Sequence, residues 1–147
     1  MKFFFLIAFS FLSFQGIIAQ NEPTTFTDME KAKAHAAETN QDILMVFAGS
    51  DWCKPCIQFK KDVLLSNDFM DRIGDKVSVL YLDFPARRKN KLSPEQTAHN
   101  EGLAERFNKS GAFPKIVLID SNENVLATPA FKAVSYTHLT LPTKRIV

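Results

Sequence analysis

Cysteine and histidine are scarce in this 147-residue sequence, which contains two cysteines and three histidines. A zinc site needs about four ligands. Before residue 133 the only histidines are His35 and His99, and neither lies at the spacing expected of metal ligands. The sequence therefore argues against a bound metal, and the two cysteines need another explanation.

The sequence also lacks an excess of positive charge. Its formal net charge is +2, and it becomes slightly negative without Lys2, Lys144 and Arg145, which lie in terminal stretches outside the predicted domain. The basic footprint of a nucleic-acid-binding protein is thus missing. The chain has no internal repeat, and 46% hydrophobic with 23% charged residues is typical of a globular protein. We predict one domain over residues 20–132.

The N-terminal apolar run is too short to span a bilayer comfortably. It follows Met1 and Lys2 and is followed by Gly16 and Ala19, small residues of the kind found at a cleavage site. We predict that residues 1–19 are a secretory signal peptide, so that no membrane span remains after cleavage. An uncleaved anchor helix is the alternative. No cysteine follows the run, so a lipoprotein anchor is unsupported.

The C-terminal stretch, residues 133–147, differs from the rest of the chain. Its sequence AVSYTHLTLPT has no acidic residue, no helical period and no clean strand alternation. It resembles the translation of a transposase sequencing adapter, which matches residues 134–143 one by one. We predict that residues 133–147 are a non-native tail and that the domain is cut short near Lys132. A genuine but irregular tail is the alternative.

The remaining sequence alternates between helical and strand patterns. Thr27 and Glu30 have the form of a capping box before MEKAKAHAAETN, and a second helix opens at Ser93 with Pro94 at its first position. The runs DILMVFAG and KVSVLYLDF indicate strands, the first of them buried on both faces. KIVLID and VLATPAF around a SNEN turn indicate a hairpin. This order predicts an α/β domain with a mixed sheet.

Both cysteines lie directly after the first buried strand, in SDWCKPCIQFK. Cys56 and Phe59 fall at helical spacing, so Cys53 is predicted at an exposed helix start. Free backbone amides and the helix dipole favour a thiolate there. We therefore predict that Cys53 attacks a partner disulfide and that Cys56, one turn inside, resolves the mixed disulfide. A purely structural disulfide is a weaker explanation, because bridging residues three apart constrains little chain entropy.

The chain contains the motif DWCKPC after the strand pattern ILMVF, and GAFPKIVLID follows later. From about Thr24 to Phe131 the sequence resembles the thioredoxin superfamily, in particular secreted single-domain thioredoxin-like proteins of Gram-negative bacteria. The resemblance implies a thioredoxin-like fold, with a central mixed sheet flanked by helices and a C-terminal helix missing through truncation. It implies a periplasmic, monomeric thiol-disulfide oxidoreductase with no cofactor besides the Cys53–Cys56 disulfide. Its partners would be protein thiols or disulfides and an upstream redox protein.

Five further residues are predicted to support the site. In the family, a proline after a cis peptide bond presents backbone to the substrate, and Phe113-Pro114 matches it. Lys54 adds positive charge, and Pro55 fixes the backbone between the sulfurs. Trp52 and Phe113 are predicted to form an apolar rim. The alternative is a non-catalytic binding module that uses this rim and the basic segment 86–91 to hold a partner, with idle cysteines.

Other positions have plainer interpretations. The strand before the cysteines lacks the buried aspartate that thioredoxin has there. We expect Asp51 to be a solvated charge or a local cap. Segment 86–91, with its four basic residues, is expected to be a solvated loop, with steering of an acidic partner as the alternative. The histidines are expected on helix surfaces. Core positions are predicted for Phe47, Phe59, Phe69 and Phe107.

Overall fold

The computed structural model describes residues 22–131, and within this range five strands form one mixed sheet in the order β1-β3-β2-β4-β5. The strands are β1 (Thr25–Phe26), β2 (Asp42–Ala48), β3 (Val77–Asp83), β4 (Lys115–Ile119) and β5 (Val125–Ala127). β1, β3 and β2 are parallel, whereas β4 is antiparallel to β2 and β5 to β4. The predicted α/β class is confirmed. The expectations for residues 1–19 and 133–147 lie outside the described residues.

Four α-helices accompany the sheet in the described range: α1 (Met29–Thr39), α2 (Lys54–Phe59), α3 (Asn67–Phe69) and α4 (Pro94–Phe107). π-helical turns follow α2 over Lys60–Leu64 and α3 over Met70–Gly74, and a 3-10 turn covers Arg88–Asn90. Residues of α1 and α4 pack on one face of the sheet, and residues of α2 and α3 pack on the other. No helix of this part of the chain combines the length and apolarity that crossing a membrane requires.

Strand β2 is the centre of both cores. Its side chains alternate between the two faces, so that Leu44 and Val46 join the α2 side while Met45 and Phe47 join the α1 side. All four are fully buried, which confirms the prediction from the continuous apolar run. Of the other predicted core aromatics, Phe59 and Phe69 are buried, but Phe107 is only half-buried.

The helix starts agree in part with the sequence patterns. Ser93 caps α4 by accepting the Gln96 amide at 3.2 Å, with Pro94 in the first turn as predicted. The capping box at α1 was wrong by one residue, because the cap is Asp28, which accepts the Lys31 amide at 2.9 Å. A carboxylate at this position also suits the positive end of the helix dipole.

Three loops meet at one edge of the sheet. The parallel strands β2 and β3 both end there, at Ala48 and Asp83, and α2 begins soon after β2. β4 is antiparallel and starts at the same edge, because Lys115 pairs with Phe47. Loops 49–53, 84–91 and 108–114 therefore meet beside the cysteines.

Candidate active site

Cys53 and Cys56 form a disulfide across the first turn of α2, with their Cα atoms 5.3 Å apart. Cys53 is the N-cap of this helix, and its sulfur accepts the Cys56 backbone amide at an N···S distance of 3.3 Å. Its carbonyl accepts the amides of Cys56 and Ile57. The turn thus directs the Cys56 amide at the sulfur of Cys53 as well as at its carbonyl, and this N–H stabilises negative charge on the sulfur.

The expected exposure of Cys53 was wrong. Only 5% of the residue is exposed, compared with 1% of Cys56, and both belong to the core cluster on the α2 side of the sheet. The reason is that the disulfide draws the two sulfurs together over the first helical turn, while Phe113 packs against this cluster. Both cysteines are therefore buried while the disulfide is intact.

The indole ring of Trp52 lies over Gly49, three residues earlier in the chain. A Cβ atom added to Gly49 would lie 2.4 Å from the indole ring of Trp52, so a side chain at position 49 would displace the ring. The indole Nε1 donates to the Phe84 carbonyl at 2.8 Å, and the ring meets Phe113 edge-on with centroids 5.5 Å apart. Trp52 nevertheless remains 49% exposed. Sequence reasoning found Trp52 and Phe113 but missed Gly49, whose only signal is the absence of a side chain.

The loop before the cysteines is attached to the end of β3 through Asp83. The Asp83 carboxylate accepts hydrogen bonds from the Ser50 amide at 2.8 Å and from the Ser50 hydroxyl at 2.6 Å. It also accepts a hydrogen bond from the backbone amide of the next residue, Phe84. Asp83 was not identified as a site residue from the sequence. Its position at the end of a strand is the one feature that could have indicated a role at the sheet edge.

Asp51 is more than a solvated charge or a local cap, because its carboxylate binds a segment distant in sequence. Its carboxylate accepts three hydrogen bonds of 2.9 Å, from the amides of Ala86 and Arg87 and from the side chain of Asn90. It therefore joins the cysteine loop to a segment 35 residues further along the chain. The hydrogen bond from Ala86, followed by those from Asn90 and Arg87 and the charge of Arg87, lowers the pKa of the Asp51 carboxyl.

This shift predicts a local pH response. Because the pKa of Asp51 is lower in the folded chain, its carboxylate stabilises the loop contact above the unfolded-state pKa, and the contribution is lost as pH falls through the folded-state pKa. The amide resonances of Ala86 and Arg87 should therefore titrate together, with a midpoint below the ordinary aspartate value. An NMR titration of the chain and of Asp51→Asn checks this. A midpoint at or above the ordinary value, or the same titration in the variant, would contradict the prediction.

Phe113 and Pro114 lie at the same edge as the disulfide. The peptide bond between them is cis, and Pro114 immediately precedes the residue that pairs with Phe47 near the end of β2. Phe113 packs against both core clusters and meets Phe84 edge-on, with centroids 5.3 Å apart. The fold therefore places this dipeptide and the cysteines at one sheet edge, although they are far apart in sequence.

The side chains between and behind the cysteines differ in exposure. Lys54 and Pro55 are exposed. Behind them, residues 43–47 of β2 are fully buried and include no carboxylate, as the sequence indicated. Burial, together with the charge of Asp83, raises the pKa of Tyr81 to about 12. The Tyr81 phenol therefore stays protonated at neutral pH.

The histidines lie apart from the cysteines and have different surroundings. His35 contacts the Phe26 ring on α1's side of the sheet, with centroids 5.2 Å apart. His99 was wrongly expected at a plain helix surface, because its Nε2 accepts the Met29 amide at 3.1 Å and its Nδ1 lies 3.0 Å from the side chain of Asn100. Within residues 22–131 no cluster of side chains is suited to a metal ion.

A mixed sheet with a Cys-x-x-Cys disulfide at the helix start after its central strand, and a cis proline at the same edge, defines the class of thioredoxin-fold proteins. Comparison with known families agrees. The profile of a family described as thioredoxin-like matches residues 23–121. The chain belongs to this thioredoxin-like family, as its resemblance predicted.

Two curated relatives come from Chlamydia pneumoniae. The disulfide bond reductase DsbH is 32% identical over 102 residues, which are 69% of this chain and 60% of that protein. The thioredoxin-related protein DsbJ is 28% identical over 96 residues, or 65% of this chain and 27% of that protein. The matched part is thus less than two thirds of either relative's length. A solved structure described as DsbH oxidoreductase superposes with a TM-score of 0.66 at 29% identity, covering 75% of this chain and 74% of that one.

Proposed function

We propose that this chain is a periplasmic thiol-disulfide oxidoreductase that acts on protein dithiols and disulfides through Cys53-Lys54-Pro55-Cys56. The observation that carries the proposal is the disulfide at the start of α2, where the Cys56 amide donates to the sulfur of Cys53. The similarity to a relative named as a disulfide bond reductase supports the same chemistry. A structural role for the disulfide is disfavoured because the bond closes a loop of only three residues.

The reaction needs both sulfurs in order. In the reduced chain, the Cys53 thiolate attacks one sulfur of a substrate disulfide, whose S–S bond breaks and releases the other sulfur as a thiolate. The Cys56 thiolate then attacks the sulfur of Cys53, which breaks the mixed disulfide and releases the second substrate thiolate. Two electrons pass to the substrate, and the chain is left with the Cys53–Cys56 disulfide. Run backwards, the same steps oxidise a dithiol.

Exposed apolar side chains around the disulfide would contact the substrate. Trp52 is 49% exposed before the cysteine pair, and Ile57 is 47% exposed just after it. Ile57 would extend the apolar rim of Trp52 and Phe113 that contacts an unfolded or extended segment, while the backbone at Phe113-Pro114 would present hydrogen-bonding groups to it. Lys54 would add a positive charge beside the attacking thiolate, and Pro55 would hold the turn between the sulfurs.

The redox partner, the cellular location and the cofactor requirement that we propose follow from this chemistry and from the N-terminal sequence. Each turnover in the reducing direction leaves a disulfide, which an upstream dithiol partner would reduce again. The predicted signal peptide would direct the chain to the periplasm, where we expect it to act as a monomer. No metal or organic cofactor is required, because the cysteine pair itself carries the electrons.

Insulin reduction by dithiothreitol tests the proposal. We expect the chain to accelerate insulin precipitation well beyond the uncatalysed rate, and the Cys53→Ser/Cys56→Ser double variant to return to that rate. A non-catalytic binding module would not accelerate the reaction. If wild type and double variant are equally slow, the oxidoreductase assignment fails and the binding module is favoured.

The direction of transfer is measured separately. Equilibrating the chain with glutathione buffers and quantifying the oxidised fraction gives the reduction potential of the Cys53/Cys56 couple. A reduction potential of about −270 mV, as in thioredoxin, supports reduction of substrates, whereas one of about −120 mV supports their oxidation.

A further inference from the structure

The segment 86–91, called here the basic loop, carries four positive charges within six residues. Arg87, Arg88, Lys89 and Lys91 are all exposed. The side-chain ion pairs found within residues 22–131 involve other cations, namely Lys33, Arg72 and Arg106. The Asp51 carboxylate, which contacts the loop, lies beside Arg87 and is occupied by backbone and amide donors. The side chains of Arg88, Lys89 and Lys91 are therefore available to bind a partner.

The basic loop is held in one place rather than left free. Asp51 binds the amides of Ala86 and Arg87, and the Trp52 indole binds the carbonyl of Phe84 just before the loop. A 3-10 turn over Arg88–Asn90, with the Asn90 amide donating to the Arg87 carbonyl at 2.9 Å, shapes the loop itself. Since these contacts fix the backbone before any partner arrives, binding would cost little additional ordering of the loop.

The same contacts place the basic loop beside the disulfide. Asp51 and Trp52 are the two residues that precede Cys53, and consecutive Cα atoms are about 3.8 Å apart. The backbone of Arg87 therefore lies on the order of 10 Å from Cys53, a distance comparable with the Debye length at physiological salt. Charges on a protein docked at the cysteines would be within reach of the loop.

We infer that the basic loop is a specificity element that docks an acidic segment next to the disulfide of the substrate protein. This inference rests on the proposed oxidoreductase function, because the partner must be a protein that reaches Cys53. A nucleic acid or an anionic membrane would also be attracted by the charges. A protein segment fits better, because the loop is fixed to the two residues before the reactive cysteine and adjoins the apolar rim of Trp52 and Phe113.

Two disulfide peptides of the same length test the inference. They are identical except that one has four aspartates beside its disulfide and the other has four serines. The reaction of each with the reduced chain is followed by the fluorescence of Trp52, the chain's single tryptophan. At low ionic strength we expect the acidic peptide to react about tenfold faster, with the advantage shrinking as salt is added.

Matched variants separate the basic loop from charge in general. Arg88→Ser/Lys89→Ser should reduce the advantage to about twofold or less while leaving the serine peptide's rate unchanged. Lys61→Ser/Lys76→Ser removes the same charge from exposed positions outside the basic loop and should keep the advantage. Equal rates for the two peptides with wild type, or equal losses in both variant pairs, would overturn the inference while leaving the oxidoreductase function intact.

Two other outcomes are informative. If neither peptide reacts, the proposed function fails and the inference falls with it. If duplex DNA or phosphatidylglycerol vesicles bind the chain through Arg88 and Lys89 while the peptides react equally, the loop recognises a different class of partner and the inference is overturned.

Discussion

Replacing Cys53 with serine is expected to abolish the catalysed reduction of insulin. The serine hydroxyl is not ionised at neutral pH and cannot form the mixed disulfide, so the rate should fall to the uncatalysed level. Cys56→Ser should also stop turnover but by a different route. It keeps the attacking thiolate at the helix start and removes the group that releases the product, so mixed disulfides with substrate proteins should accumulate.

Mass spectrometry of each variant after incubation with oxidised substrate measures the difference. Cys56→Ser should appear as a covalent adduct that dithiothreitol reverses, and Cys53→Ser should not. The order follows from the geometry, since Cys53 is the N-cap of α2 and its sulfur accepts the Cys56 amide. Equal trapping by the two variants would contradict the assignment of Cys53 as the nucleophile.

Replacing Phe59 with alanine is expected to produce the largest loss of stability near the site. Phe59 is fully buried one turn after Cys56, and its ring meets Phe131 edge-on with centroids 5.0 Å apart. Truncating a buried phenylalanine removes apolar contacts and leaves a cavity, which costs about 3–5 kcal/mol. Since small domains are stable by only about 5–15 kcal/mol, this variant should be close to unfolding.

Urea unfolding of the oxidised chain checks the expected loss. Ile57→Ala is the matched control, because Ile57 lies on the same helix but is 47% exposed, so its truncation should cost less than about 1 kcal/mol. Similar losses in the two variants would show that α2 does not pack on the sheet through Phe59. The comparison is made with both cysteines intact, so that the disulfide contributes equally to each measurement.

The sequence correctly predicted the features that depend on the types and spacing of neighbouring residues. The apolar run of β2 predicts a strand buried on both faces, and the structure confirms this for Leu44 and Met45. Ser93 with Pro94 marks the start of α4. The cysteine pair after β2, read with Phe113-Pro114, indicates the family and its cysteine chemistry. Each of these signals depends on side-chain type and spacing within a few residues.

The sequence was a poor guide to contacts between distant segments. Asp51 was expected to be solvated, but it binds Ala86 and Arg87. His99 was expected at the surface, but it accepts the amide of Met29, 70 residues earlier. An aspartate or histidine in a loop or helix has the same local pattern whether it is solvated or bound, so only its partner distinguishes the two cases.

By itself, the sequence determined that a cysteine pair begins a helix directly after a buried central strand, because strand burial and helix start are properties of short stretches of chain. The tertiary structure decided what surrounds that cysteine. It placed Asp83 against Ser50, and it placed the Trp52 indole over Gly49 and against Phe84. The contacts of Ser50 with Asp83 and of Trp52 with Phe84 join residues more than 30 positions apart in the chain. They exist because the parallel register of β2 and β3 brings the carboxyl ends of both strands to one edge of the sheet.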